Sequence, residues 1–126
     1  MGVDWVRRCC LSLPHATEEV LWQDNLVFKV GGKMFAIASL EPASVFVSFK
    51  CTPEDFARLT DLPDIVPAPY LARAQWVALE SEDALPAADT RQLLRKSYDL
   101  VLARLTKKAQ AALQASSTGK RSSPIR

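Results

Sequence analysis

The chain has 126 residues, 48% of them hydrophobic and 24% charged, a size and composition that fit one compact globular domain and exclude a fibrous or a disordered chain. No apolar run approaches the roughly 18 residues of a membrane span, and three cysteines with no CxxC spacing (Cys9, Cys10, Cys51) indicate neither a disulfide framework nor a zinc site. The net charge of +2 hides a strong polarity: residues 1–90 hold 7 Lys+Arg against 13 Asp+Glu, whereas residues 91–126 hold 9 against 1.

The first predicted element is a helix from about Asp4 to Leu13, where Asp4 can cap the free amides and Trp5, Cys9 and Leu13 recur at helical spacing. Pro14 stops it. The apolar stretch after Arg7 and Arg8 breaks at Ser12 and Pro14, too short for a secretory core, so no export signal is expected and the unpaired cysteines suit a reducing cytoplasm. His15 to Glu19 read as a polar connector and Val20-Leu21-Trp22 as a short extended segment before the turn residues Asp24 and Asn25.

Leu26–Val30, Gly31-Gly32 and Lys33–Ala38 form the clearest pattern, a β-hairpin whose two glycines supply positive φ angles. A two-residue loop pairs Val30 with Lys33, Phe28 with Phe35 and Leu26 with Ile37 on a core face, leaving Val27, Lys29, Met34 and Ala36 opposite. Val45–Lys50 alternates as a third strand with Phe46, Ser48 and Lys50 on one side. Thr52-Pro53-Glu54-Asp55 starts a short helix to about Thr60, and the prolines of Leu62–Tyr70 mark a loop. Gln75–Leu79 has strand character, completing an antiparallel sheet of four or more strands. Asp89 and Gln92 read as a capping box for a long helix with Leu94, Tyr98, Val101 and Leu105 on its apolar face. The expected architecture is α+β: an antiparallel sheet with helices packed on one face, in a single domain over residues 1–115, followed by a disordered basic tail over residues 116–126.

Leu13-Pro14-His15-Ala16-Thr17-Glu18-Glu19, Trp22, the hairpin Phe28–Ala36, Pro67-Ala68-Pro69-Tyr70, Trp76-Val77 and Ser97-Tyr98, in that order over about residues 4–109, resemble the MmcQ/YjbR family. The resemblance implies a frataxin-like (CyaY-like) fold, also compared with a double-wing nucleic-acid-binding domain, and double-stranded DNA as the partner. The resemblance also implies an expectation of glycine at the position of His15.

Signatures of catalysis are missing from the sequence: there is one histidine, no GxSxG elbow, no GxxxxGK[ST] and no GxGxxG. A non-enzymatic protein is expected, with His15 beside Glu18 and Glu19 read as structural. The acidic pairs Glu18-Glu19, Glu54-Asp55 and Glu82-Asp83 fall on three separate elements, so neither a metal nor a cofactor is expected. The candidate DNA contacts form two cationic sets. Lys29, Lys33, Lys50 and Arg73 belong to the sheet and the loop before its last strand; Arg91, Arg95, Lys96, Arg104, Lys107 and Lys108 belong to the long helix, continued by Lys120 and Arg121. Trp5 is assigned to the core. Trp76, alternating with an inward Val77, joins the lysines on the open face as an aromatic contact. The reading is a monomeric cytoplasmic protein that holds duplex DNA by its phosphates and engages no membrane. The alternative is a protein-interaction or small-ligand-binding module using the open sheet face.

Overall fold

The computed structural model describes residues 2–22, 24–40 and 44–122, with side chains to residue 115. Helix α1 (Val3–Leu11) leads into strands β1 (Thr17–Leu21), β2 (Asn25–Val30), β3 (Lys33–Ser39) and β4 (Val47–Lys50). Then come α2 (Pro53–Thr60), β5 (Ile65–Pro67), a 3-10 turn (Ala72–Ala74), β6 (Trp76–Leu79), α3 (Ala87–Arg104) and α4 (Lys107–Ser122). The six strands make one antiparallel sheet in the order β1-β2-β3-β4-β6-β5.

One face of the sheet is the core. Phe28, Phe35, Val47, Phe49, Val77 and Leu79 meet Val6 and Cys10 of α1, Leu59 of α2, and Leu94 and Val101 of α3. The helices therefore share one face, as the α+β reading requires. A smaller apolar cluster lies on the outer face, where Trp76 and Ala78 pack with Ala68, Met34, Ile37 and Leu71. The segment between β5 and β6 folds back over that end of the outer face.

Local chemistry explains several of these elements. Gly31 and Gly32 take φ of 59° and 81°, the paired left-handed geometry of a tight hairpin turn. A Cβ on Gly31 would also stand 2.5 Å from Leu105 Cδ1, so this turn lies against the residue that follows α3. At α2, the Thr52 hydroxyl accepts the Asp55 amide at 3.1 Å and Pro53 takes the first helical position. His15 has φ of 65°, the left-handed region in which a Cβ is costly and glycine is favoured.

Several boundaries and one register differ from expectation. A β-bulge between Phe28 and Lys29 pairs Phe28 with Ala36, Val27 with Ile37 and Leu26 with Ala38. Phe35 and Ala36 both enter the core, and Ile37 moves to the outer face. β1 starts at Thr17 and ends before Trp22. The proline-rich loop contains β5, whose Pro67 is tolerated because this is an edge strand. α3 begins at Ala87 behind Pro86, placing Asp89 inside the first turn rather than at the cap. The long helix is two helices: Leu105 adopts ψ of 150°, and the Thr106 hydroxyl accepts the Ala109 amide at 3.0 Å to start α4. Lys107 and Lys108 thus belong to α4, which also runs into the stretch expected as a tail; residues 123–126 of that tail lie outside the described residues.

Two buried hydroxyls on α3 tie it to the rest of the chain. Ser97 donates to the Lys50 carbonyl, and Tyr98 donates to the Pro14 carbonyl at 2.6 Å. Burial pushes the Tyr98 phenol above its ordinary pKa, so it remains a donor across the neutral range. Tyr98→Phe is expected to lower unfolding stability by about 1–2 kcal/mol, through loss of the bond that fixes the loop after α1; chemical denaturation would read it.

Candidate functional site

α1 and α3 lie side by side, and the groove between them encloses about 810 Å³. Trp5, Arg8 and Cys9 of α1 face Arg91, Arg95 and Lys96 of α3 across it. The Arg91 guanidinium sits 5.7 Å from the centre of the Trp5 ring, a cation–π contact that orients the charge without neutralising it. Arg7 is committed elsewhere, bidentate to Glu18 at 2.7 Å on both oxygens, and its hydrogen bond holds that carboxyl below the usual range. Among the described residues neither Arg8 nor Arg91 meets a carboxylate. Arg95 has only a loose, exposed pair with Asp99 at 3.5 Å.

Lys96 differs from its neighbours. Its ammonium is 3.0 Å from Asp55, which Arg58 also reaches at 3.1 Å, so this lysine joins α3 to the start of α2. Burial draws the Asp55 carboxyl upward, yet the hydrogen bonds from Lys96 and Arg58 outweigh it and leave the group below its usual range. A lowered carboxyl pKa stabilises the fold above the unfolded value of about 4, and that contribution is lost as pH falls through the folded value. Asp55→Asn is expected to cost about 1–2 kcal/mol at pH 7 and to flatten the acid limb of a stability-against-pH curve.

The other cations fall into a second place and several isolated ones. Lys33 and Arg104 line a cavity of about 310 Å³ with Met34, Trp76, Val101 and Leu105, at the corner where the hairpin turn meets the end of α3. Lys50, cross-strand partner of Trp76, donates to the Ala74 carbonyl at 2.7 Å. Burial first, and then the charge of Arg104, press its pKa below the ordinary lysine value. Trp76 does lie on the face opposite Val77, but it is 4% exposed beneath the segment before β6, so it offers no ring for stacking on a base. Lys29 is 2.5 Å from Glu19 on β1. Arg73 projects from the 3-10 turn, and Lys107 and Lys108 are exposed at the start of α4. No group of three or more His, Cys, Asp or Glu residues is arranged to hold a metal among the described residues, and no described helix is long and apolar enough to cross a membrane.

A YjbR family model matches residues 11–100, more than two-thirds of the chain. The chain belongs to the YjbR family. A crystal structure of the Deinococcus radiodurans protein DR2400, described as a DUF419 domain, is similar at 32% identity and a TM-score of 0.80, covering 90% of this chain and 88% of that one. A Pseudomonas syringae protein of known structure shares the fold at 19% identity and a TM-score of 0.64, covering 79% of this chain and 98% of its own. The Escherichia coli O157:H7 protein YbdF is 28% identical over 108 residues, covering 82% of this chain and 87% of its own.

The YjbR match includes all six strands, α2 and most of α3, and with them Arg91, Arg95 and Lys96. Arg8 and Trp5 stand before it, so one wall of the groove comes from outside the matched stretch. The sequence reading passed over Arg8. A usable signal was present: Trp5, Arg8, Cys9 and Ser12 recur at three- and four-residue spacing and so share one helix face, and all four line the groove.

Proposed function

We propose that this YjbR-family chain is a non-enzymatic, cytoplasmic, monomeric protein that binds double-stranded DNA through its phosphates. The observation that carries this reading is the pair Arg8 and Arg91, two guanidiniums with no internal carboxylate among the described residues, set on opposite walls of one groove. Guanidiniums that hold phosphates release condensed counterions, which supplies affinity without reading sequence. Trp5 holds Arg91 in place, so less side-chain entropy is lost when a phosphate arrives. Arg95 extends the cationic wall one helical turn along α3. Lys33 and Arg104 form a second cationic corner, with Lys50 near enough to feel the charge of Arg104, whereas Lys96 and Lys29 serve internal ion pairs first.

The test is a titration of duplex and single-stranded DNA of one sequence at about 0.05 M and about 0.2 M salt. The expected result is preference for duplex and a steep loss of affinity with salt. An affinity that hardly changes with salt, or equal binding of a neutral polymer, overturns the reading.

A further inference from the structure

The outer face of the sheet holds a second cavity, of about 510 Å³, on the opposite side from the α1–α3 groove. Its apolar floor includes Met34 and Ile37 of β3, and its rim carries Trp22 and Tyr70. Both rim aromatics are exposed, Tyr70 completely, and both have left-handed backbones, with φ of 51° and 66°. Large side chains seldom adopt that conformation, and exposed rings gain nothing from the core in return.

Polar groups in the cavity point the same way. Ser48 of β4 is only 8% exposed, and its hydroxyl has no hydrogen-bond partner among the described residues. No polar side-chain atom is sealed off unpaired among the described residues, so the Ser48 hydroxyl opens into the cavity. The Asn25 side-chain amide also lines it and makes no hydrogen bond to a described residue. By contrast, the Ser39 hydroxyl is used up on the Val45 carbonyl at 2.8 Å. Among the described residues no charged side chain lines this cavity.

We propose that the cavity is a binding site for a neutral, planar aromatic small molecule, held by Trp22 and Tyr70 at the rim and hydrogen-bonded to Ser48 within. The volume lies in the range of small-molecule sites. An ionic ligand would lose its hydration with nothing to replace it. An extended peptide adding to the sheet needs a free edge, whereas this cavity lies over the inner strands β2, β3 and β4.

The test uses 2-naphthol, the isosteric but hydroxyl-free naphthalene, and the anionic naphthalene-2-sulfonate, each titrated into the full chain and followed by amide-resolved NMR. Saturable 2-naphthol shifts at Met34, Ile37 and Ser48 are expected, with weaker binding of the sulfonate and little dependence on salt. Tyr70→Ala removes a fully exposed side chain, so the fold should persist, and it should weaken 2-naphthol about three- to tenfold. Ser48→Ala should reduce the preference for 2-naphthol over naphthalene. The proposal is overturned if the shifts do not saturate, if they centre on α1 and α3, if Tyr70→Ala leaves affinity unchanged, or if the sulfonate binds as tightly. DNA binding through the other face can fail or succeed without altering any of these readings.

Discussion

Reversing Arg8 and Arg91 together to glutamate is expected to weaken duplex DNA binding on the order of a hundredfold at about 0.05 M salt, and roughly eightfold at about 0.2 M. The figures follow from counterion release. Each phosphate contact contributes about 0.9 to the slope of log affinity against log salt, so losing two contacts removes about 1.8 from the slope, and the deficit narrows as salt rises. The two arginines are suited to the experiment because they form no ion pair among the described residues, so reversal breaks no structural bridge. Lys96 is a poorer choice: a glutamate there would face Asp55 and repel the start of α2. The double variant should keep its unfolding free energy within about 1 kcal/mol of the parent's, a limit that includes loss of the Arg91–Trp5 contact. A salt slope equal to the parent's would show that no phosphate occupies the α1–α3 groove.

What could be read from sequence is what local chemistry determines. The Gly31-Gly32 turn and the Thr52-Pro53 helix start each depend on residues within one turn of one another, and both form as read. The side taken by Trp76 also follows from simple alternation, but its cover comes from a segment whose path depends on β5 joining the sheet edge. Three prolines disguised that strand, because their usual meaning in a chain is interruption, and only an edge position reverses it. The break at Leu105 was hidden for the opposite reason: the apolar repeat of Leu94, Tyr98, Val101 and Leu105 continues through it, while Thr106, the cap that begins α4, carries a weaker local signal.

The candidate site shows the same division. Helical spacing placed Arg91 and Arg95 on one face, and both line the groove. That Lys96 would turn to Asp55, 41 positions away in sequence, is a tertiary fact with no local signature. The juxtaposition of Arg8 with Arg91 arises in the same way, from the packing of α1 on α3.

Phe35→Ala is expected to be the most destabilising single change considered, at about 3–5 kcal/mol, and with Ile37→Ala it tests the β3 register. Phe35 is fully buried where the bulge turns it into the core, its ring centre 5.6 Å from Tyr98 in an edge-to-face arrangement and 6.5 Å from Phe28. Truncation removes its burial energy and both ring contacts and leaves a cavity under α3. For a domain whose total stability is about 5–15 kcal/mol, that loss is enough to populate the unfolded state. Ile37, by contrast, is half-buried on the outer face, and its truncation should cost about 1–2 kcal/mol. An unbulged hairpin would put Phe35 and Ile37 in the same core layer and make the two losses comparable. Urea unfolding of both variants, with slopes matching the parent, separates the cases: near-equal losses would contradict the bulge, whereas a gap of about 2 kcal/mol or more requires Phe35 and Ile37 to occupy opposite faces of the sheet.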